Sequence, residues 1–183
     1  RKIVKPILNE KGGKFDLSYC PERAVEGSAL KELNYLPQIV GGLNKKSVDR
    51  SKKIFSRITK KIIPASSLET AEMIKLIDNS SRDVFFAYAN EIARICDNIG
   101  INALEVINSG KLNYDRTDIA KPGLVGGPCL HKDPYILSES INKKGIKAEI
   151  TLSARNINER QPSEISKFIK KFTRKEKFKK KLK

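Results

Sequence analysis

From Ser67 to Ile99 the chain contains neither glycine nor proline, and Ile74, Ile77, Val84, Tyr88, Ile92, Ile95 and Ile99 recur along it at helical spacing. At 1.5 Å per residue such a helix reaches about 50 Å, too long for a small domain to cover on one side only. The segment is therefore expected to act as a spine, with shorter helices at INALEVINSG and PYILSESINKK completing an all-helical unit. A long apolar stripe of this kind suits an interface between two copies; a capped monomeric helix accounts for the same pattern.

The residues before the spine have a different rhythm. A helix through Ile3, Ile7 and Leu8 is expected to stop at Gly12-Gly13, and FDLSYC sets Phe15, Leu17 and Tyr19 on one face of a strand. QIVGG reads as a second strand, SVDRSKKIFSRIT as an amphipathic helix through Val48, Phe55 and Ile58, and KKIIP as a last strand closed by Pro64. The fold class expected is α+β, mainly α: a βα fragment followed by an all-helical unit built on one long central helix. So small a sheet carries an unpaired edge.

Composition narrows the functional classes. No apolar run approaches the roughly 20 residues that span a bilayer, and the basic first residues lack the apolar core of a signal peptide. Cys20, Cys96 and Cys129 are odd in number and widely spaced, and His131 is the single histidine, so neither a disulfide framework nor a zinc pattern forms. A reducing cytoplasm is the expected compartment, with no membrane and no metal. The formal net charge is +16, and residues 167–183, KFIKKFTRKEKFKKKLK, supply ten Lys/Arg against one Glu. Such a block could bind nucleic acid or another polyanion. No nucleic-acid-binding motif accompanies it, which favours a solvated linker helix with Ile165, Phe168, Ile169 and Phe172 as its narrow apolar stripe.

The run from Lys121 to Pro134, KPGLVGGPCLHKDP, brings one cysteine to the mouth of a helix for which Asp133 reads as N-cap and Pro134 as first residue. Amides at a helix N-terminus favour a thiolate, which makes Cys129 a candidate nucleophile; the alternative is a small buried thiol beside an ordinary turn. On the spine, Lys75, Asn79 and Arg82 fall at i, i+4 and i+7 and form one polar stripe. Taken alone, such a stripe describes a solvated face equally well.

Four segments in order carry a family resemblance: KPILNEKGGKFDLSYCPERAVEG from Lys5, LPQIVGG from Leu36, SLETAEMIKLIDNSSRDVFFAYANEIARICDNIGI from Ser67 and KPGLVGGPCLHKDPYIL from Lys121. Together they resemble the UDP-glucose/GDP-mannose dehydrogenase family, most closely its N-acetylhexosamine branch. The resemblance implies residues 1–64 as a βα remnant, the C-terminal part of a Rossmann-type NAD domain, 65–158 as the family's central helical domain and 159–183 as a basic linker toward a C-terminal UDP-binding domain expected to be missing. It implies NAD as cofactor, a UDP-sugar as substrate and a homodimer through the long helix. The reaction implied is oxidation of UDP-N-acetyl-D-mannosamine, or UDP-N-acetylglucosamine, to its uronate through a cysteine thioester.

The roles that the resemblance assigns follow residue by residue. Cys129 is the nucleophile, Lys75 and Asn79 stabilise oxyanions, and Glu22 and Asp133 assist water. Arg23, Ala24, Arg82, Tyr114, Arg116 and Gly126 join Lys75 and Asn79 as substrate contacts. Two departures stand out. The branch pattern PGPGVGGHC is PGLVGGPC here, with Pro128 before the cysteine, and Tyr114 occupies a place usually held by histidine. No G-x-G-x-x-G occurs in the chain, so it is expected to be one piece of such an enzyme and inactive alone. The competing reading is a noncatalytic module for oligomerisation or polyanion binding.

Overall fold

The computed structural model describes residues 3–12, 14–25 and 27–175, without the side chains of residues 172, 174 and 175. Gly13 of the expected helix stop and the basic residues 176–183 lie outside the described residues, as does the side chain of Phe172. The chain divides into two compact units, Arg1–Ile77 and Asp78–Lys183.

The first unit holds α1 (Val4–Glu10), β1 (Ser18–Tyr19), α2 (Ala29–Tyr35), β2 (Gln38–Gly42), α3 (Lys45–Phe55), β3 (Ile62–Ala65) and the start of α4 (Leu68–Ile99). Its sheet has the order β1-β2-β3. Burial concentrates on the central strand, where Ile39 and Val40 are 4% and 0% exposed. β2 and β3 run parallel, Gln38 facing Ile62 and Val40 facing Pro64, as expected of a βα unit.

Three details depart from the sequence reading. β1 is antiparallel to β2 and only two residues long, pairing Ser18 with Gly42 and Tyr19 with Gly41. Pro64 does not close β3 but lies within it, which an edge strand allows because the missing amide is not owed to a further neighbour. α2 follows the Pro-Glu-Arg loop where no helix was expected; its seven residues are too few to show periodicity.

The second unit contains the rest of α4, then α5 (Ala103–Lys111), α6 (Asp133–Asn142) and α7 (Glu149–Lys175). α4 covers the glycine- and proline-free run from its second residue, Leu68, to its end at Ile99. Its buried positions in this unit are small or polar: Ser80, Asp83, Ala87, Ala89, Asn90 and Cys96 are each no more than 4% exposed. The large apolar residues Phe85, Tyr88, Ile95 and Ile99 are instead 38–65% exposed. Ile107 from α5, Leu130 and Leu137 from the α6 region and Ala154 from α7 supply most of the apolar core. The stripe residues Ile165, Phe168 and Ile169 of α7 are exposed, beyond Pro162 in the helix interior.

Gly41 shows why β2 ends in a glycine pair. A Cβ there would stand 2.7 Å from the Ala71 Cβ and against the backbone carbonyl of Ser67, so the strand and the first turn of α4 meet backbone to backbone. Gly41→Ala should cost about 1–3 kcal/mol through overpacking, read as a lower denaturation midpoint at unchanged m-value.

Candidate active site

The cysteine turn belongs to the second unit and is built from short-range bonds. Gly127 takes φ +94°, a conformation costly for a side-chain-bearing residue. It reverses the chain so that its carbonyl accepts from His131 N (3.2 Å), while the Cys129 carbonyl accepts from Lys132 N (3.3 Å) and Asp133 N (3.0 Å). Cys129 is half-buried and unbridged, one turn ahead of α6.

Asp133 corrects one expectation. It is the first residue of α6 rather than its N-cap, a position held by Lys132 without a side-chain capping bond. The Asp133 carboxylate is 2% exposed and accepts instead from Asn79 Nδ2 at 2.6 Å. Asn79, Asp133 and the cysteine turn are thus linked in sequence: side chain to carboxylate, then the amide of that same residue to the Cys129 carbonyl. Gly126 lies against His131, whose Nε2 would be 3.1 Å from a Cβ there. Tyr114 and Arg116 are exposed on the segment after α5, with the Arg116 guanidinium carbon 5.9 Å from the Tyr114 ring centre. Arg82 is exposed on α4.

In the first unit the Pro-Glu-Arg loop is held by bonds to α4, to the residue ahead of β2 and within itself. Lys75 Nζ donates to the Glu22 carbonyl at 2.5 Å. The Glu22 carboxylate folds back to accept from Ala24 N at 2.5 Å, and Arg23 Nη2 donates to the Pro37 carbonyl at 3.0 Å. Lys75, Glu22, Arg23 and Ala24 are therefore neighbours. The turns from β2 into α3 and from β3 into α4 cap themselves: Asn44 Oδ1 accepts from Ser47 N (2.9 Å) ahead of α3, and Ser67 Oγ accepts from Thr70 N (3.0 Å) ahead of α4.

A buried polar network escaped the sequence reading. Arg155 Nη1 donates to Asp83 Oδ1 (2.7 Å) and to the Leu130 carbonyl (2.9 Å), and Nη2 donates to the Val125 carbonyl (3.4 Å). Asn158 Nδ2 donates to both the carbonyl and Oδ1 of Asp83 at 2.9 Å; Asn90 Nδ2 donates to Asn158 Oδ1 (2.9 Å), and Asn90 Oδ1 accepts from Gly123 N (2.8 Å). Burial pushes the Asp83 carboxyl above its ordinary range, against the opposing pull of the Asn158 hydrogen bond and the Arg155 charge. The available signal was a second stripe on α4, Ser80, Asp83, Ala87 and Asn90, at helical spacing.

Among the described residues no group of three or more His, Cys, Asp or Glu side chains could hold a metal ion, and no helix is long and apolar enough to cross a membrane. The thiols differ in setting. Cys96 is 3% exposed, while burial raises the Cys20 thiol above its ordinary value, opposed by a hydrogen bond with Ser51. Iodoacetamide should therefore label Cys129 first, Cys20 slowly with a rate that climbs at higher pH than for a free thiol, and Cys96 last. Peptide mass spectrometry over a pH series checks this order; equal labelling of Cys96 and Cys129 in the folded chain contradicts it.

Two family models match the chain: the NAD binding domain of the UDP-glucose/GDP-mannose dehydrogenase family over residues 1–59, and the central domain of that family over residues 69–160. A UDP-N-acetyl-D-mannosamine dehydrogenase of Methanococcus maripaludis is 37% identical over 92% of this chain and 38% of its own length. The enzyme of that name from Methanocaldococcus jannaschii is 38% identical over 95% of this chain and 39% of its own length. Among solved structures, the UDP-D-ManNAc dehydrogenase of Pyrococcus horikoshii is similar with a TM-score of 0.85 and 31% identity, covering 96% of this chain and 42% of that one. The chain spans less than half the length of each of these relatives.

Proposed function

Because the chain belongs to the UDP-glucose/GDP-mannose dehydrogenase family, we propose that it is part of an NAD-dependent nucleotide-sugar 6-dehydrogenase. The substrate proposed is UDP-N-acetyl-D-mannosamine, with UDP-N-acetylglucosamine as the alternative. Residues 1–64 are assigned to the NAD domain, 65–158 to the central domain and 159–183 to a linker. The observation that carries the reading is the link from Asn79 through Asp133 to the Cys129 turn, at 2.6 Å and 3.0 Å. It holds an amide donor and a carboxylate in fixed relation to a half-buried thiol.

NAD, when bound, supplies the hydride acceptor. No oxidation step is assigned to residues described here. What these residues contribute is capture and release of the sugar carbon. The Cys129 thiolate adds to the C6 aldehyde carbon, forming a C–S bond while the carbonyl π pair moves onto oxygen, and Lys75 and Asn79 donate hydrogen bonds to that oxygen. At the thioester level water adds to the same carbon, with Glu22 and Asp133 orienting it and accepting its proton. Collapse of that adduct expels the Cys129 thiolate and leaves the carboxylate. Covalent capture retains a reactive aldehyde between the two oxidations.

Arg23, Ala24, Arg82, Tyr114, Arg116 and Gly126 are proposed as substrate contacts. The Tyr114–Arg116 pair offers a flat cationic surface, and Arg82 an exposed charge on α4. Cys129→Ser in the full-length dehydrogenase should lower carboxylate formation more than about a hundredfold. UDP-sugar affinity measured by calorimetry should stay within a few-fold, since most contacts remain. A serine variant with full activity would overturn the assignment.

A homodimer through α4 is proposed on a separate observation, the exposure of Phe85, Tyr88, Ile95 and Ile99 along one helix whose buried positions are small or polar. Ile95→Glu with Ile99→Glu should convert a dimer to a monomer in sedimentation velocity at micromolar concentration. Unchanged sedimentation would sink the dimer reading.

A further inference from the structure

Arg155 lies in a helix that contributes no residue to the chemistry proposed above, yet its guanidinium is wholly buried and aimed at the cysteine turn. Two of its bonds go to backbone carbonyls, Val125 at 3.4 Å and Leu130 at 2.9 Å, which bracket Gly126, Gly127, Pro128 and Cys129. Its charge is held from the other side by Asp83 Oδ1 at 2.7 Å. Asn158, one turn along α7, fixes Asp83 through two bonds, and Asn90 carries the same network to Gly123 N at the start of the loop.

We propose that Arg155 is the positioning residue of the cysteine turn: its planar fork ties down both shoulders of the loop, so that the Cys129 sulfur is presented at one fixed place ahead of α6. The functional meaning of this clamp rests on the reading of Cys129 as nucleophile. Geometry separates the clamp from simple charge balance. A buried carboxylate needs only one cation nearby, whereas two carbonyls on opposite shoulders of a turn need donors spread across a rigid plane, which arginine has and lysine lacks.

The test uses the 183-residue chain and two built-in reporters. Cys96, 3% exposed on α4, reports the fold as a whole; Cys129 and the amides of His131, Lys132 and Asp133, which bond within the turn, report the loop. Arg155→Met alone strands the Asp83 charge and should expose both cysteines. Adding Asp83→Asn removes that charge, keeps an acceptor for Asn158 and should return Cys96 alkylation to within twofold of wild type. If Arg155 positions the turn, the double variant nevertheless alkylates Cys129 at least fivefold faster and exchanges the three turn amides at least tenfold faster. Recovery of both reporters together would reduce Arg155 to a counter-ion and overturn the proposal.

Should the double variant fail to protect Cys96, Arg155→Lys decides by the same readouts, since it keeps the charge and loses the fork. Loose turn amides with a protected Cys96 support the clamp, and unchanged amides overturn it. These rates do not depend on turnover, so a noncatalytic Cys129 would defeat the functional reading while leaving the clamp to be judged separately.

Discussion

The second unit is organised around a fully buried ion pair, Arg155 with Asp83, both side chains 0% exposed. Burying two charges is costly, and mutual attraction repays that cost only where the remaining donors and acceptors are also engaged. Most are engaged here. The guanidinium reaches two loop carbonyls as well as the carboxylate, and Asn158 doubles the contact to Asp83. The remainder is telling: Asp83 Oδ2, Arg155 Nε and the nearby Ser80 Oγ find no hydrogen-bond partner among the described residues, although Glu159 stands 3.5 Å from Arg155 Nε as an ion-pair partner. An apolar core of the same size would be easier to build. What the ion pair adds is direction, because the glycine pair Gly126-Gly127 leaves the middle of the loop with no side chains to hold it in one conformation.

Much of the architecture was legible in the sequence. The spine helix was visible because its length and freedom from glycine and proline leave no other conformation that satisfies its backbone. QIVGG was visible as a strand because its residues form the centre of the sheet, where burial demands an apolar run. Less legible were β1 and α2, whose few residues give no period to detect, and the place of Pro64, which depends on which strand is at the edge. The candidate site was legible only in part. Motif resemblance marked Cys129, Lys75, Asn79 and Glu22, but the bonds that hold them had to be seen: Asp133 binds Asn79 rather than capping its own helix.

The spine also shows how periodicity can mislead about which face is inside. Its isoleucines announce the helix, yet the face that packs within the second unit carries Ser80, Asp83, Ala87 and Asn90, chosen for close approach and hydrogen bonding rather than bulk. A pattern search for apolar residues finds the opposite side, and Arg155 and Asn158, one turn apart on α7, are hidden from it for the same reason.

Pro162 gives α7 a divided character. It supplies no amide to the carbonyl of Asn158, four residues back, so the ladder of main-chain bonds has a missing rung just after the last buried residue of the helix. Fraying that starts from the exposed, basic end can run as far as this gap at little cost. To go further it must dismantle the turn from Arg155 to Asn158, with all the bonds gathered there. The proline thus acts as a firebreak, confining the breathing of the outer segment to the outer segment.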